Sequence, residues 1–344
     1  MVVAGAGPAG TATAIGLHAA DELVRVFEAR GPVATRARNI WLRPQGREIL
    51  TDLGLADPGR DTTIMKIEND LRGLAKDRGV PISYQHRVLD VVERPDHVAV
   101  TVEGPRGGVQ TIKARAFVDA SGGRLAATNS GPLERVPTGP HHVYVTAQYD
   151  SAPRFEKIYG AFDRRLDEGM FIFPVARGKG YIAYYDLPPG RPIGDETALL
   201  ARYDAVAGQL GLGTPMHPPA AFDARQHLSR SAAHGRVLKL GDSAGNADPY
   251  IGAGVTAALA DSRAAVRALT QTGDPARLAR QAADDVMLGH RSLGLQAGLM
   301  VHTRSLGLRA LPDARFDRPL TPEMLGQSSE LDLVARLLTK LPIA

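Results

Sequence analysis

MVVAGAGPAGTATAIGLHAADELVRVFEAR, residues 1–30, holds a short apolar strand, a glycine-rich turn, an alanine-rich helix and a second apolar strand. The strand Met1 to Ala4 runs into Gly5-Ala6-Gly7-Pro8-Ala9-Gly10. The helix continues to about Ala20, and the second strand, Leu23 to Phe27, ends at Glu28. Gly5 permits the tight turn out of the strand, Gly7 lets a pyrophosphate approach bare backbone, and Gly10 allows the helix to pack closely on a sheet. The helix start at Pro8 and Ala9 offers free N–H groups and a partial positive charge to phosphates. Glu28, followed by Ala29, stands at a strand tip. There it can accept hydrogen bonds from both ribose hydroxyls of an adenosine, and it would repel a 2′-phosphate. Strand, turn, helix and acid in this order make the glycine pattern specific for a dinucleotide. They do not by themselves separate FAD from NAD.

Two later strand ends favour FAD. Phe117-Val118-Asp119 ends in the small residues Ala120, Ser121, Gly122 and Gly123. Val237 to Leu240 ends in Gly241-Asp242, followed by a glycine-rich turn through Pro249, Gly252 and Gly254 and then a helix. For an FAD extended across the sheet, Asp242 can bond the ribityl hydroxyls, and the turn from Pro249 brings backbone close to the isoalloxazine. The N–H groups of Gly254 and Val255, at a helix start, can stabilise negative charge on the flavin pyrimidine ring. Taken alone, Gly241-Asp242 is equally an ordinary turn with an N-cap; the three strand ends in order are what favour the flavin.

Composition narrows the class further. Among 344 residues, 44% hydrophobic and 23% charged is ordinary for a globular protein with a sizeable core. The net charge of +4 comes without a dense Lys/Arg run, so no nucleic-acid partner is expected. The chain contains no cysteine, which excludes disulfides, cysteine nucleophiles, thiolate metal sites and iron–sulfur clusters. The ten histidines are scattered, and no metal site is expected. No apolar run reaches the roughly 18–20 residues of a membrane span. An apolar strand at the very start leaves no room for a secretory signal. A cytoplasmic location is the expectation.

With these motifs in place, the chain resembles the flavoprotein monooxygenase superfamily of the para-hydroxybenzoate hydroxylase fold, over roughly residues 1–265. Ala37-Arg38-Asn39-Ile40, Pro44 and the run Glu48 to Leu55 resemble the segment after the second strand in this family. Leu71 to Val102 resembles its helix, strand and hairpin. The resemblance implies that Arg38 approaches the FAD and that the backbone around Val88 contacts the adenine. Aromatic hydroxylases usually carry Asp-Gly in the second motif, linked to FAD and NADPH handling. Asp119-Ala120-Ser121-Gly122 is similar instead to halogenases, geranylgeranyl reductases and cyclase-like relatives. So are the strand Gly169 to Val175 with Gly178 to Ala183, and Asp248-Pro249 with Gly252-Ala253-Gly254. In motif the chain is nearest to the epoxidase, halogenase and geranylgeranyl reductase-like branches. The electron source is therefore either NAD(P)H or a separate flavin reductase. The tryptophan-rich halogenase signature is absent: the single Trp is Trp41, and no lysine matches the halogenase position.

The expected fold is α/β: a Rossmann-type FAD-binding domain with a parallel sheet, an inserted, mainly antiparallel substrate-binding sheet, and C-terminal helices. The FAD domain is expected at 1–135 and 236–300, the substrate domain at 136–235, and a C-terminal helical segment at 301–344. Strands are expected at His142 to Tyr149, Met170 to Val175 and Tyr181 to Leu187, with an amphipathic helix near 195–210. Asp274-Pro275 reads as N-cap and first helical residue of a further helix, and a last helix is expected near Glu330 to Lys340. In the family such a sheet roofs the flavin over an apolar chamber.

Among candidate pocket residues, Arg43 touches flavin or substrate or makes a surface salt bridge. Tyr144 and Tyr184 lie on strands, as do Tyr181 and Tyr185; each either contacts substrate or packs with its hydroxyl satisfied at a rim. Alternation sends Tyr184 and Tyr185 to opposite faces. His141 is expected in a solvated loop, just before the strand that His142 opens. No acid–base pair stands out, which suits oxygen activation by reduced FAD in a site shielded from water. The expected activity is thus FAD-dependent hydroxylation or epoxidation of a hydrophobic small molecule, in bacterial secondary metabolism such as antibiotic biosynthesis. The alternatives are a flavin-dependent alkene reductase, an FAD-bound non-redox cyclase of a polyketide-like substrate, and a flavin-binding protein without catalysis.

Overall fold

The computed structural model describes residues 1–34, 39–59, 61–122, 135–150, 159–163, 165–166, 168–174, 181–187, 194–216, 218–246, 253–310 and 326–327. The chain forms two compact units, one of residues 1–138, 227–295 and 342–344, the other of residues 139–226 and 296–341.

The first unit opens with β1 (Val2–Ala4), α1 (Pro8–Ala19) and β2 (Arg25–Glu28), the β-α-β unit expected from residues 1–30. The second strand starts later than the sequence suggests, because Leu23 is 88% exposed and only from Arg25 does the chain pair with β1. Next come β3 (Asn39–Trp41), α2 (Pro44–Asp52), β4 (Asp61–Thr63), α3 (Ile64–Asp77), β5 (Ile82–Tyr84), the hairpin strands β6 (Arg87–Glu93), β7 (Val98–Glu103) and β8 (Val109–Ala114), and β9 (Phe117–Asp119). The Thr63 hydroxyl caps α3 by accepting from Lys66 N at 3.1 Å.

Strand β10 (Arg135–Tyr149) leads into the second unit. There follow β11 (Tyr159–Asp163), β12 (Glu168–Pro174), β13 (Tyr181–Asp186), α4 (Glu196–Gln209) and β14 (Ala220–Ser229), whose end returns to the first unit. β15 (Ala233–His234), β16 (Val237–Lys239), α5 (Gly254–Leu269), α6 (Pro275–Ala310) and β17 (Gly326–Gln327) complete the order. β10 begins earlier than expected, so His141 is a strand residue like His142 and not part of a loop before it. The helix expected near Glu330 to Lys340 lies outside the described residues.

The main sheet of the first unit has the order β15-β16-β9-β1-β2-β5, parallel except for β15 at one edge. Strand alternation divides its side chains between two layers. Val3, Val26, Val118 and Leu238 pack with residues of α1, α3, α5 and α6. Val2, Ala4, Phe27, Phe117 and Val237 pack with Val88, Val91, Val98, Val100 and Val102 of the antiparallel sheet β6-β7-β8. A parallel sheet is stable only when both faces are covered, and every described residue of β1, β9 and β16 is buried.

The second unit is built on a sheet of order β14-β10-β13-β12-β11-β17, antiparallel from β10 through β17. Val143, Val145, Ala147 and Tyr149 of β10 share one face with Met170, Ile172, Tyr181, Ala183 and Tyr185, and α4 covers it through Leu199, Tyr203 and Val206. Asp195 caps α4, accepting from Thr197 N at 2.9 Å and Ala198 N at 3.2 Å. Asp274 does the same for α6, its carboxylate accepting from Arg277 N at 3.2 Å.

Candidate functional site

The glycine turn after β1 is shaped by close approach. Gly5 has φ +98°, and a Cβ there would lie 2.3 Å from the carbonyl oxygen of Ala120 at the end of β9. A Cβ on Gly10 would lie 2.0 Å from the carbonyl oxygen of Gly5, so α1 can cross the turn only with hydrogen at that position. Gly7 is different: a Cβ there would meet nothing nearer than Glu68 Oε1 at 3.9 Å. Gly7 is the N-cap of α1, and Pro8 at the first turn carries no N–H. The N–H groups of Ala9 and Gly10 therefore stand at a helix N-terminus beside open backbone, as a phosphate requires.

Glu28 is buried, 4% exposed, and its carboxylate is held from two sides. Oε2 accepts from Ala6 N at 2.7 Å, and Oε1 accepts from Arg30 N at 2.8 Å and Arg30 Nε at 3.1 Å. Burial pushes the carboxyl upward, but the Ala6 and Arg30 N–H groups and the Arg30 guanidinium outweigh it and leave it below its ordinary range. A carboxylate offers about four acceptor sites, so these three bonds leave about one for a ribose hydroxyl. Ala29 beside it is exposed.

Two residues missed in the sequence complete this end. Arg72 of α3 donates from Nε to Ala6 O at 3.0 Å and from one terminal nitrogen to Gly31 O at 3.3 Å and Pro32 O at 3.2 Å. Its other terminal nitrogen lies 3.7 Å from Glu68 and 4.0 Å from Glu28, and the guanidinium sits over the Tyr84 ring at 5.7 Å. The available signal was Glu68 and Arg72, four apart and each adjacent to an apolar residue of the buried face, Ile67 and Leu71. Val88 is buried at the start of β6, and the bulge between Val88 and Asp90 marks that strand; nearby, His86 N donates to Glu28 O at 2.9 Å.

The other two strand ends meet around Asp119. Its Oδ1 accepts from Ser121 N at 3.0 Å, Ser121 Oγ at 2.7 Å and Ser243 Oγ at 3.0 Å. Asp119 thereby ties Ala120-Ser121-Gly122 to the one-turn 3-10 helix Gly241–Ser243. In that turn Gly241 and Ser243 are buried while Asp242 is exposed. Gly254 and Val255 are the first residues of α5, preceded by Ala253 as N-cap. Arg38, Pro249 and Gly252 lie outside the described residues.

Arg43 is 3% exposed, which removes the surface salt bridge as a reading. It is the N-cap of α2, and its backbone N donates to Thr256 Oγ1 on the first turn of α5 at 3.2 Å. Burial lowers its guanidinium to about 10.

In the second unit, alternation on β13 behaves as expected: Tyr185 is fully buried and Tyr184 half-buried. Tyr184 packs against Tyr144, 3% exposed, with ring centres 5.8 Å apart. Tyr185 donates its hydroxyl to buried Glu168, which also pairs with Arg202 at 2.7 Å. Among the described residues no group of three or more metal-ligating side chains occurs, and no helix is long and apolar enough to cross a membrane.

The FAD binding domain family model matches residues 60–280. No curated protein matches the chain in sequence. Among solved structures, the flavin-dependent monooxygenase PieE in complex with FAD and substrate is similar, with TM-score 0.75 and 17% identity over 98% of this chain and 70% of that one. CabE, an aromatic hydroxylase from angucycline biosynthesis, has TM-score 0.70 and 21% identity over 99% and 76%. The p-nitrophenol 4-monooxygenase PnpA from Pseudomonas putida has TM-score 0.71 and 16% identity over 98% and 96%. An open glycine cradle at a helix start, an acid at the tip of β2 and an exposed Asp242 at a third strand end suit an extended adenine dinucleotide with a flavin. The chain belongs to the FAD binding domain family, with FAD as its cofactor, and shares the para-hydroxybenzoate hydroxylase-type fold of these structures.

Proposed function

We propose that the protein is an FAD-dependent monooxygenase that hydroxylates or epoxidises a hydrophobic small molecule. A dinucleotide-binding domain serves many chemistries, so it cannot carry this reading alone. The observation that supports it is the extent of the likeness. PieE, CabE and PnpA, named as a monooxygenase, an aromatic hydroxylase and a monooxygenase, each match 98–99% of this chain, the second unit included. CabE's origin in angucycline biosynthesis supports a place in secondary metabolism, antibiotic biosynthesis among its forms.

When bound and reduced, FAD supplies the activation of dioxygen. The chain's residues bind and orient the cofactor. Gly7, Ala9 and Gly10 take the pyrophosphate; Glu28 takes one ribose hydroxyl; Ala29 and the backbone at Val88 flank the adenosine. Ala120, Ser121 and Gly122 line the middle, and Asp242 holds the ribityl chain. The N-terminus of α5 at Gly254 and Val255 faces negative charge on the flavin ring, and Arg43, buried beside Thr256, adds positive charge there. Arg38, Pro249 and Gly252 belong to the same set by family resemblance. Tyr144 and Tyr184, paired on one face of the second sheet, are the substrate-contact candidates.

Asp119-Ala120-Ser121-Gly122 in place of Asp-Gly supports reduction by a separate flavin reductase, with NAD(P)H as the other source. A cytoplasmic location belongs to the same reading. The test is turnover with reduced FAD, ¹⁸O₂ and aromatic or polyketide-like substrates. Labelled oxygen in a product is expected. Productive flavin turnover with no label in any product overturns the reading.

A further inference from the structure

His290, on α6, is 5% exposed and has no part in the chemistry derived so far. Its Nε2 lies 2.9 Å from Asp261 Oδ2, and that same oxygen accepts from Gly241 N at 2.7 Å. One carboxylate oxygen on α5 therefore links the imidazole to the backbone of the residue before Asp242. The other ring nitrogen faces the far end of the same turn: a Cβ on Gly245 would lie 3.0 Å from His290 Nδ1. Between these points the turn is pinned from other strands. Ser243 Oγ donates to Asp119 at 3.0 Å, Ser229 Oγ donates to Ser243 O at 3.1 Å, and the His227 ring lies 3.3 Å from Asp242 O.

Asp261 is 3% exposed, and a buried carboxylate is costly without a counter-charge. The imidazole supplies it. Burial alone would hold His290 neutral, but Asp261 on α5 and Asp242 in the turn outweigh burial and raise its pKa above the ordinary histidine value.

We propose that the Asp261–His290 pair is a positioning device for FAD: His290, carried as an imidazolium, holds the Gly241–Asp242 turn in its FAD-binding form, and FAD is held less tightly once His290 loses its proton. A neutral imidazole can still donate to Asp261, so the first loss is electrostatic. An uncompensated carboxylate is left behind Asp242, close to where an anionic cofactor is proposed to lie. The inference rests on the placement of FAD at Asp242.

The experiment measures the FAD Kd of diluted holoprotein by flavin fluorescence from pH 6 to pH 9, in wild type, His290→Gln and Asp242→Ala. Glutamine keeps a donor and removes the charge. Wild-type Kd is expected to rise with pH as His290 deprotonates, whereas H290Q starts weak and stays flat. By linkage, each tenfold change in Kd corresponds to about one pH unit between the His290 pKa with and without FAD. Histidine NMR of the wild type, with FAD and after its removal, reads that difference directly and decides the matter should H290Q not fold. A flat wild-type profile, an H290Q profile parallel to wild type, or the same His290 pKa in both forms overturns the proposal. If D242A loses FAD while H290Q behaves as wild type, the positioning role alone fails. If D242A retains FAD unchanged, the placement of FAD at Asp242 fails and the inference with it.

Discussion

The backbone N–H of Ala6 donates to Oε2 of Glu28 at 2.7 Å, so the glycine turn after β1 and the carboxylate at the tip of β2 form one hydrogen-bonded unit. Glu28 acts on that unit as a charge. Its carboxyl lies below the ordinary range because two backbone N–H groups and Arg30 favour its ionised form against burial. A depressed carboxyl contributes stability that is present above its unfolded pKa and is lost as pH falls through its folded pKa. Glu28→Gln should therefore weaken FAD binding by about 10- to 100-fold, as expected for ~1.5–3 kcal/mol in hydrogen bonds to a charged group. It should also flatten the acid side of the stability profile. Flavin retention by equilibrium dialysis and melting between pH 6 and pH 3 check both; an E28Q melting profile that falls with acid as steeply as wild type refutes the assignment.

Arg72 is bound to the same unit from the other side. It donates to the carbonyls of Ala6, Gly31 and Pro32, three points in two segments that follow β1 and β2. A guanidinium serves such an array because its donors are fixed in a plane, and an ammonium cannot reach all three. Arg72→Lys keeps the charge but leaves buried carbonyls without their donors, and should cost ~1–3 kcal/mol. The expected result is a lower denaturant midpoint and flavin loss at neutral pH. A midpoint within error of wild type would show that the three carbonyls find other donors.

Gly10 tests the packing. A Cβ there would lie 2.0 Å from the Gly5 carbonyl oxygen, which belongs to backbone fixed by Gly5 N donating to Phe27 O at 2.8 Å. Neither partner yields easily. Gly10→Ala should cost at least ~1–3 kcal/mol as an overpacking substitution. Gly7→Ala, with open space around it, should leave the apoprotein's melting temperature near wild type and reduce flavin content instead. Equal losses of stability in the two variants would sink the distinction.

These contrasts show what was legible in the sequence. The β-α-β unit was readable because local pattern dictates it: an apolar strand, Gly5, Gly7 and Gly10 at fixed offsets, then an acid at a second strand end. The parallel sheet followed from the three apolar strand ends, whereas the antiparallel hairpin was expected only from the family resemblance of Leu71 to Val102; in the structure Val98, Val100 and Val102 alternate as its buried face. Glu68, Arg72, Asp261 and His290 were not legible as a set, because their partners lie far along the chain; Asp261 and His290 are 29 residues apart and on different helices. A charged residue on an apolar helix face was the only local signal, and such a signal names no partner. Arg43 was ambiguous for the same reason, since its burial depends on packing of α2 against α5.

A second-unit pair allows a prediction free of the cofactor. Tyr149 and Tyr203 are 1% and 0% exposed, and their hydroxyls lie 3.0 Å apart. Burial pushes Tyr149 up to about 12 and Tyr203 higher still, so both remain neutral hydroxyls throughout the working pH range. Replacing one leaves the other's buried hydroxyl without this partner, whereas replacing both removes the polar atoms together. Tyr149→Phe and Tyr203→Phe should each cost ~1–3 kcal/mol. The double variant should cost clearly less than their sum, giving a coupling of ~0.5–3 kcal/mol for residues in contact. Denaturant unfolding of the four proteins of this cycle measures it. Strict additivity would mean that each hydroxyl is satisfied by something other than its neighbour.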